Sequence, residues 1–414
     1  MQTMVKDKQY FKFCFYGFLK NLRFFDAFFI LFLVEKGLPY TQIGILYAVR
    51  EIAINVLEVP SGIVADTWGR KNALTGSFLA YIASFLVFYF FTDFWWFLLA
   101  FVLYGAGDAF RSGTHKGMIM DYLKINRWED QKINYYGHTR ACSQKGSAIS
   151  SLVAGLIVFY TGVYRDIFLY SVIPYFVNLL LILSYPKELN HSIKPSERTE
   201  YGIGATLRSF WQVVRRPHVL KIINTSALHT AYLKAVKDYI QPLMIQVALL
   251  IPILMHTEQE KKNGIIVGVL YFIIYLLTSR ASQIASKVEA KSKRDISFTT
   301  LLWGFGFGIF SGICFYYGLW VVSLIAFVGI YLVENIRKPI LTGFVADHVP
   351  NEILASVISA QSLLRTIMTA VLAFVFGILA DHYGIGVAFI GISSFLILST
   401  VAINMFQVKR KTAG

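Results

Sequence analysis

Charged side chains stand inside the long apolar runs of this 414-residue chain, and these are the residues whose chemistry matters most. Arg23 and Asp26 interrupt the first run, and Asp108, Arg111, His115 and Lys116 the fourth. His229, Lys234, Lys237 and Asp238 lie in the seventh, and Glu334, Arg337 and Lys338 in the tenth. A Lys, Arg or Asp at the centre of a membrane helix costs roughly 2.5–3.5 kcal/mol even on insertion scales. Such groups face water, a solute or one another. Cations so placed hold an anionic solute: Arg23, Arg111, His115, Lys234, Lys237 and Arg337, with Gln241 as a neutral donor, are the candidates. An Asp or Glu can bind a proton and give it up on pairing with a nearby Arg or Lys. Asp26, three residues from Arg23, and Asp108, three from Arg111, fit that exchange best. Asp238 and Glu334 are the acids of the second half, and His115 is a candidate relay near neutral pH. For each pair, a permanent ion pair tying helices together is the alternative.

Helical spacing groups these residues into faces. Asp108, Arg111 and His115 follow 0, 3, 7 spacing, and Thr230, Lys234, Lys237 and Gln241 form a second stripe. Arg23, Arg111, Lys234, Lys237 and Arg337 supply five positive charges against four from Asp26, Asp108, Asp238 and Glu334. The surplus of one favours a solute with an anionic group, or a large zwitterion, over a hydrophobic cation.

The elements that must position these groups follow from composition. Hydrophobic residues make up 56% of the chain and charged ones 15%, where a soluble chain carries about a quarter charged. A bilayer acting as solvent accounts for that excess. Apolar runs long enough to span it are expected at 12–34, 43–65, 73–92, 94–123, 134–160 and 164–185. A second set is expected at 218–252, 264–284, 296–317, 319–346, 353–379 and 385–407. Pro242 and Pro252 predict a break or kink of the seventh near Gln241, and Pro339 an interruption of the tenth. The segments that face the cytoplasm if the amino terminus does hold 21 Lys and Arg, and the opposite segments hold three. Both termini are therefore expected inside. The longest polar segment, 186–217, reads as a cytoplasmic linker ending in a basic amphipathic helix with Arg208, Trp211, Arg215 and Arg216. It separates an amino-terminal half, 1–185, from a carboxy-terminal half, 218–414.

An internal repeat links the halves. Asp108, Arg111, Gly117 and Asp121 recur at a constant offset as Glu334, Arg337, Gly343 and Asp347, which a six-plus-six duplication would produce. The first and seventh runs give a weaker echo, Arg23 and Asp26 against Lys234, Lys237 and Asp238.

Between the second and third runs stands EVPSGIVADTWGRKNAL, residues 58–74, where Pro60, Gly62 and Gly69 predict a sharp reversal. Its Gly62, Asp66, Gly69, Arg70 and Lys71 resemble the signature between the second and third transmembrane helices of the major facilitator superfamily of secondary transporters. The turn GILADHYG at 377–384 resembles the end of the eleventh span in bacterial permeases of that superfamily. The resemblance implies an all-α polytopic membrane protein with twelve transmembrane helices in two pseudo-symmetric six-helix bundles. It also implies that the first, fourth, seventh and tenth spans line a central cavity. The signature would act as a cytoplasmic latch, with Gly62, Asp66, Gly69, Arg70 and Lys71 joined by Asp121, Arg140, Asp347 and Arg365. Its second-half copy, near Arg280, Lys291 and Arg294, has lost the pattern.

The function expected is secondary active transport of an anionic or zwitterionic organic solute by proton-coupled alternating access in the cell inner membrane. A proton-antiport exporter of amphipathic drugs or metabolites uses the same architecture, and a non-transporting receptor or scaffold is the reading from another class. No phosphate-binding glycine loop of the GxxxxGK[ST] type occurs, so an ion gradient is expected to supply the energy. Three scattered cysteines and isolated histidines offer no metal cluster and no nucleophile with a fixed partner, which argues against an enzyme. No cofactor and no nucleic acid is expected. The partners are the solute, a proton or other coupling ion and the lipid bilayer, and the chain is expected to act as a monomer.

Overall fold

The first apolar run does not fold as one helix. In the computed structural model, which describes residues 5–190, 217–252, 258–291, 296–348 and 351–412, it forms α1 (Lys8–Lys20), a 3-10 turn at Phe24–Ala27 and α2 (Phe29–Glu35). Asn21 ends α1 by turning its side-chain amide back to the Gly17 carbonyl at 2.7 Å, a local bond that competes with continued helix. The Tyr175 hydroxyl donates to the Lys20 carbonyl at 3.1 Å and satisfies one acceptor that the break leaves open. The run predicted over 12–34 thus begins earlier and divides at the level of its charges.

The seventh run divides likewise, into α9 (Pro217–Val236), a 3-10 turn at Lys237–Tyr239 and α10 (Ile240–Leu250). The break falls just before the position predicted. Pro242 sits in the first turn of α10, where its missing N–H is no loss. Thr230, Lys234, Lys237 and Gln241 therefore do not form one stripe. The first two lie on α9, Lys237 lies in the turn and Gln241 on α10.

The fourth run is interrupted where none was expected. Gly113, at φ +75°, separates α5 (Phe94–Arg111) from α6 (Thr114–Ile125), a backbone state that glycine adopts at little cost. Its repeat partner, α13 (Trp320–His348), runs unbroken across position 339, contrary to the interruption read from Pro339. A proline is tolerated inside a membrane helix when neighbouring groups meet the freed carbonyl. Pro60 and Gly62 also lie inside a helix, α3 (Tyr40–Thr67). The reversal predicted across 58–74 is thus confined to residues 68–69, where Gly69 takes φ +99°.

The remaining helices follow the expected runs: α4 (Arg70–Phe90), α7 (Lys132–Thr161), α8 (Asp166–Leu183), α11 (Gln259–Lys291), α12 (Ile296–Tyr316), α14 (Asn351–Tyr383) and α15 (Ile385–Thr412). Among the described residues, eight helices are long and apolar enough to cross a membrane, so the chain is an all-α polytopic membrane protein. Exposed Trp95, Trp96, Tyr160, Tyr316, Tyr317 and Tyr383 all stand at helix ends predicted to be outside. Aromatic rings with a polar edge gather at that lipid–water boundary.

Two compact units divide the chain. One comprises Met1–Phe32, Val49–Ile203 and Ile253–Tyr275, the other Leu33–Ala48, Gly204–Pro252 and Leu276–Gly414. In the first, α4 packs on α5 and α8, and α1 on α7 and α8. In the second, α12 packs on α13 and α15, and α9 on α14. Lipid is as apolar as leucine, so helices associate through close packing and hydrogen bonds. In the first unit Phe168 packs on Phe32 at 4.7 Å and Phe88 at 4.8 Å between ring centres, and Ser84 donates to the Ala100 carbonyl at 2.7 Å.

Candidate functional site

In the first unit the site begins at a glycine. Ser77 donates to the Gly107 carbonyl at 2.6 Å, and the Tyr81 ring lies over Gly107 so closely that a Cβ there would stand 2.8 Å from it. That seat brings the Tyr81 hydroxyl to Asp108 Oδ1 at 2.5 Å. Arg111 donates from Nη2 to the same oxygen at 2.8 Å and from Nε to the Tyr81 oxygen at 3.0 Å. Asp108, Arg111 and Tyr81 therefore form a closed triangle. The ion pair was legible from its spacing; the tyrosine, contributed by another helix, was not.

Arg23 stands at the break in the first run. Its Nη1 lies 3.8 Å from Asp26 Oδ2, beyond a direct hydrogen bond. Lys20, the last residue of α1, shares this surrounding, with Arg111, Arg23 and Asp108 as its charged neighbours. Sequence reasoning missed Lys20, although its spacing of three from Arg23 was a usable signal. His115 lies beyond the interruption at Gly113, on α6, so one helical spacing no longer joins it to Asp108 and Arg111. Its ring stacks on Tyr16 at 3.6 Å, and Nε2 lies 3.2 Å from the Tyr185 hydroxyl.

The second unit carries a different arrangement. His229 Nδ1 is 2.7 Å from Glu334 Oε2, and Thr230 donates to Oε1 at 2.6 Å. His229 is 1% exposed, and Nε2 has no hydrogen-bond partner among the described residues. It presses on Gly304, where a Cβ would overlap it. Arg337, also 1% exposed, donates to the Ser297 carbonyl at 2.5 Å, Thr300 Oγ1 at 2.6 Å and the Thr225 carbonyl at 2.8 Å. The repeat of Asp108 and Arg111 is thus kept in sequence while its bonding has diverged. Asp238 is buried and accepts from the Tyr47 hydroxyl at 2.8 Å, with Lys237 Nζ 3.4 Å away. Tyr331 donates to the Lys237 carbonyl at 2.8 Å, which pins the turn. Lys234 is half-buried and Gln241 fully buried.

Some of the residues expected to form a latch meet within the first unit. Arg70 pairs with Asp121. Asn190, which sequence reasoning missed, accepts from the Arg70 N–H on its carbonyl at 2.6 Å and from the Lys71 N–H on Oδ1 at 3.0 Å. Lys71 Nζ donates to the Leu183 carbonyl at 2.6 Å. Gly69 is required twice, by its positive φ and because a Cβ there would overlap Asn190. Arg140 is exposed and makes no ion pair among the described residues, and Arg365 donates to Ser362 Oγ at 3.1 Å in the second unit. The side chains of Asp66 and Asp347 lie outside the described residues, as does the amphipathic segment with Arg208, Trp211, Arg215 and Arg216. Also in the first unit, Glu51 is buried and paired with Arg50 at 3.2 Å.

Gly117 gives the Arg70–Asp121 contact a direct test. A Cβ at this position would stand 2.7 Å from Arg70 Nη1, so Gly117→Ala pushes the guanidinium off Asp121. The loss of one charged hydrogen bond is expected to destabilise the protein by about 1.5–3 kcal/mol, read as a lowered midpoint of thermal unfolding in detergent. An unchanged midpoint would show that Arg70 is not held by this contact.

The turn at 377–384 also has a use that its sequence did not reveal. Asp381 accepts from the N–H of Tyr40 at 2.8 Å and of Thr41 at 2.6 Å, and from Thr41 Oγ1 at 2.5 Å, all within the second unit. An anion at the start of α3 satisfies backbone donors and favours the helix dipole. Gly44 permits the approach, since a Cβ there would stand 2.5 Å from the Ala373 carbonyl.

A helical membrane chain with buried charges at interruptions of its spans has the construction of a secondary transporter. The sequence matches the Major Facilitator Superfamily over residues 14–371, and the chain belongs to that superfamily. It is 23% identical over 392 residues to the uncharacterized MFS-type transporter YxaM of Bacillus subtilis (strain 168), covering 91% of this chain and 90% of that one. The fold is similar to that of a point mutant of the nucleoside transporter NupG, with a TM-score of 0.76 at 15% identity over 95% of this chain and 99% of the other. It is also similar to a D-xylose-proton symporter, with a TM-score of 0.64 at 13% identity over 95% of each chain. The protein is therefore a transporter of a small solute and not an enzyme.

Proposed function

We propose that the protein moves an organic anion, or a zwitterion with an anionic group, across the cytoplasmic membrane by proton-coupled alternating access. In this reading twelve crossings form two six-helix halves, 1–185 and 218–414, joined by 186–217, with both termini inside and one chain as the working unit. The observation that carries it is the matched interruption of the first and seventh runs, with Arg23 and Asp26 at one turn and Lys237 and Asp238 at the other. Broken helices in corresponding positions of the two halves are where transporters build solute and ion sites.

Glu334 is the acid best suited to couple the proton. Its described partners are an imidazole and a hydroxyl, and an imidazole can itself gain or lose charge. Asp108 is instead held by a guanidinium and a tyrosine. The likeness to a proton symporter supports the choice of ion, and the positive surplus among the buried charges supports the anionic solute. Lys234 and Lys237 contribute to that surplus, so Lys234→Gln with Lys237→Gln is expected to weaken anion binding.

The test is a thermal-shift screen of organic anions, zwitterions and cations on the purified protein, followed by flux in proteoliposomes for the hits. A pH gradient is expected to drive accumulation of an anionic hit, and a protonophore to abolish it. Accumulation of cations alone would contradict the solute assignment.

A further inference from the structure

We infer that Asp381 gates the external side of the transporter. It clasps the outer end of α3, and release of that clasp lets the protein open outward. The inference rests on transport by alternating access with both termini inside, and not on the anion or the proton. It gives Asp381 and Thr41 a positioning role that keeps them off the solute.

Residues 33–48 belong to the amino-terminal half by sequence, yet they pack within the second unit. Residues 253–275, from the carboxy-terminal half, pack within the first. α3 and α11 therefore each divide, and the outer part of each is seated in the unit that otherwise comes from the other half. The seat of α3 is specific. Its first residue follows Pro39, whose side chain offers no oxygen to the open N–H groups of a helix start. Asp381, near the end of α14, supplies the cap instead. Its Oδ1 takes the Tyr40 N–H, and Oδ2 takes both the N–H and the hydroxyl of Thr41. Four and seven residues on from Tyr40, on the same face, Gly44 meets the Ala373 carbonyl and Tyr47 donates to Asp238 at 2.8 Å. Gly377 completes the fit, since a Cβ there would overlap the Tyr40 carbonyl.

The two seats differ in how readily they let go. α11 rests on α7 backbone to backbone: a Cβ on Gly155 would stand 2.6 Å from the Gly264 carbonyl, and one on Gly268 2.8 Å from the Ser151 carbonyl. The clasp on α3 is made by an exposed carboxylate, so water can replace each of its bonds at small net cost. A seal of that kind keeps a closed and an open form within reach of each other, as alternating access requires. Tyr47 carries the movement inward. When the outer end of α3 lifts, Asp238 at the Lys237–Tyr239 turn loses this donor, and the break in the seventh run is opened to water or solute.

The experiment labels the full-length protein in right-side-out membrane vesicles, carrying Cys14→Ala, Cys142→Ala and Cys314→Ala and one reporter, Ile43→Cys. Ile43 is fully buried, one turn into α3. A membrane-impermeant maleimide added outside reaches it only when that end lifts, so the labelling rate follows the open fraction. Asp381→Asn keeps the shape but in either orientation sets an NH2 group against a backbone N–H, and is expected to raise the rate about tenfold. Thr41→Val removes one of the three bonds and should raise it several-fold; it carries the test if Asp381→Asn does not fold. Ile330→Cys, fully buried on α13, should label no faster in either variant. Equal labelling of Ile43→Cys with and without these substitutions would overturn the inference. So would a rise shared by Ile330→Cys, which marks general loosening. Labelling needs neither solute nor gradient, which separates the gate from the proposed function. Unchanged labelling in a protein that accumulates anions would remove the gate and leave that reading standing. Asp381-dependent labelling in one that accumulates only cations would keep the gate and remove the anion assignment.

Discussion

Glu334→Gln is expected to reduce gradient-driven accumulation of the solute to the level of empty vesicles, while exchange at equal pH on both sides continues. The amide has nearly the shape of the acid and still accepts from Thr230, so packing against His229 and Thr230 is largely preserved. What it loses is the ability to take up and release a proton. Exchange needs only reorientation of the loaded carrier, whereas accumulation needs the proton's free energy to be linked to that step. The variant is therefore read by two assays on one preparation. If Glu334→Gln still concentrates solute against a gradient, the His229–Glu334 pair is a structural tie and coupling must rest on Asp26, Asp108 or Asp238.

The second large effect concerns stability. Arg337→Met is expected to destabilise the second unit by about 3–5 kcal/mol, because three buried acceptors lose a charged donor. The methionine fills much of the space but donates nothing, so the Ser297 and Thr225 carbonyls and the Thr300 hydroxyl each lose a donor. Each buried group left unsatisfied costs about 1–3 kcal/mol. Arg337→Lys should fall between, because one ammonium cannot reach three acceptors that a planar guanidinium spans. The readout is monodisperse yield and unfolding temperature in detergent. A stable Arg337→Met protein that has lost only anion binding would return Arg337 to the solute-binding role suggested by its charge.

What the sequence reveals and what it withholds follow from the range of the interactions. Helix positions were legible because a span needs a long apolar run whatever surrounds it. Interruptions were less so. Proline pointed to breaks near Gln241, met at Lys237–Tyr239, and at Pro339, where the helix runs on; the backbone also breaks where Asn21 folds back on Gly17 and where Gly113 takes a positive φ. Those outcomes depend on neighbours such as Tyr175 and Tyr331 that satisfy the freed carbonyls. The same divide runs through the site. Asp108 with Arg111 is an i, i+3 pair on one helix, whereas the partner of Asp121 is Arg70, 51 residues away, a pairing that the signature did not supply. His229 with Glu334, Tyr81 with Asp108 and Asp381 with the start of α3 join residues 105, 27 and 340–341 apart. No spacing rule on a single sequence announces such partners. Lys20 was within reach of the same reasoning, since it stands three residues before Arg23.

The central claim, that proton movement and anion movement are one process, is tested most directly by recording both together. Purified protein in proteoliposomes carrying an internal pH indicator would be given a labelled anionic hit from the screen with no pH gradient imposed. The predicted result is a change of internal pH that tracks solute entry and disappears in Glu334→Gln. Solute entry at the wild-type rate with no pH change would contradict it.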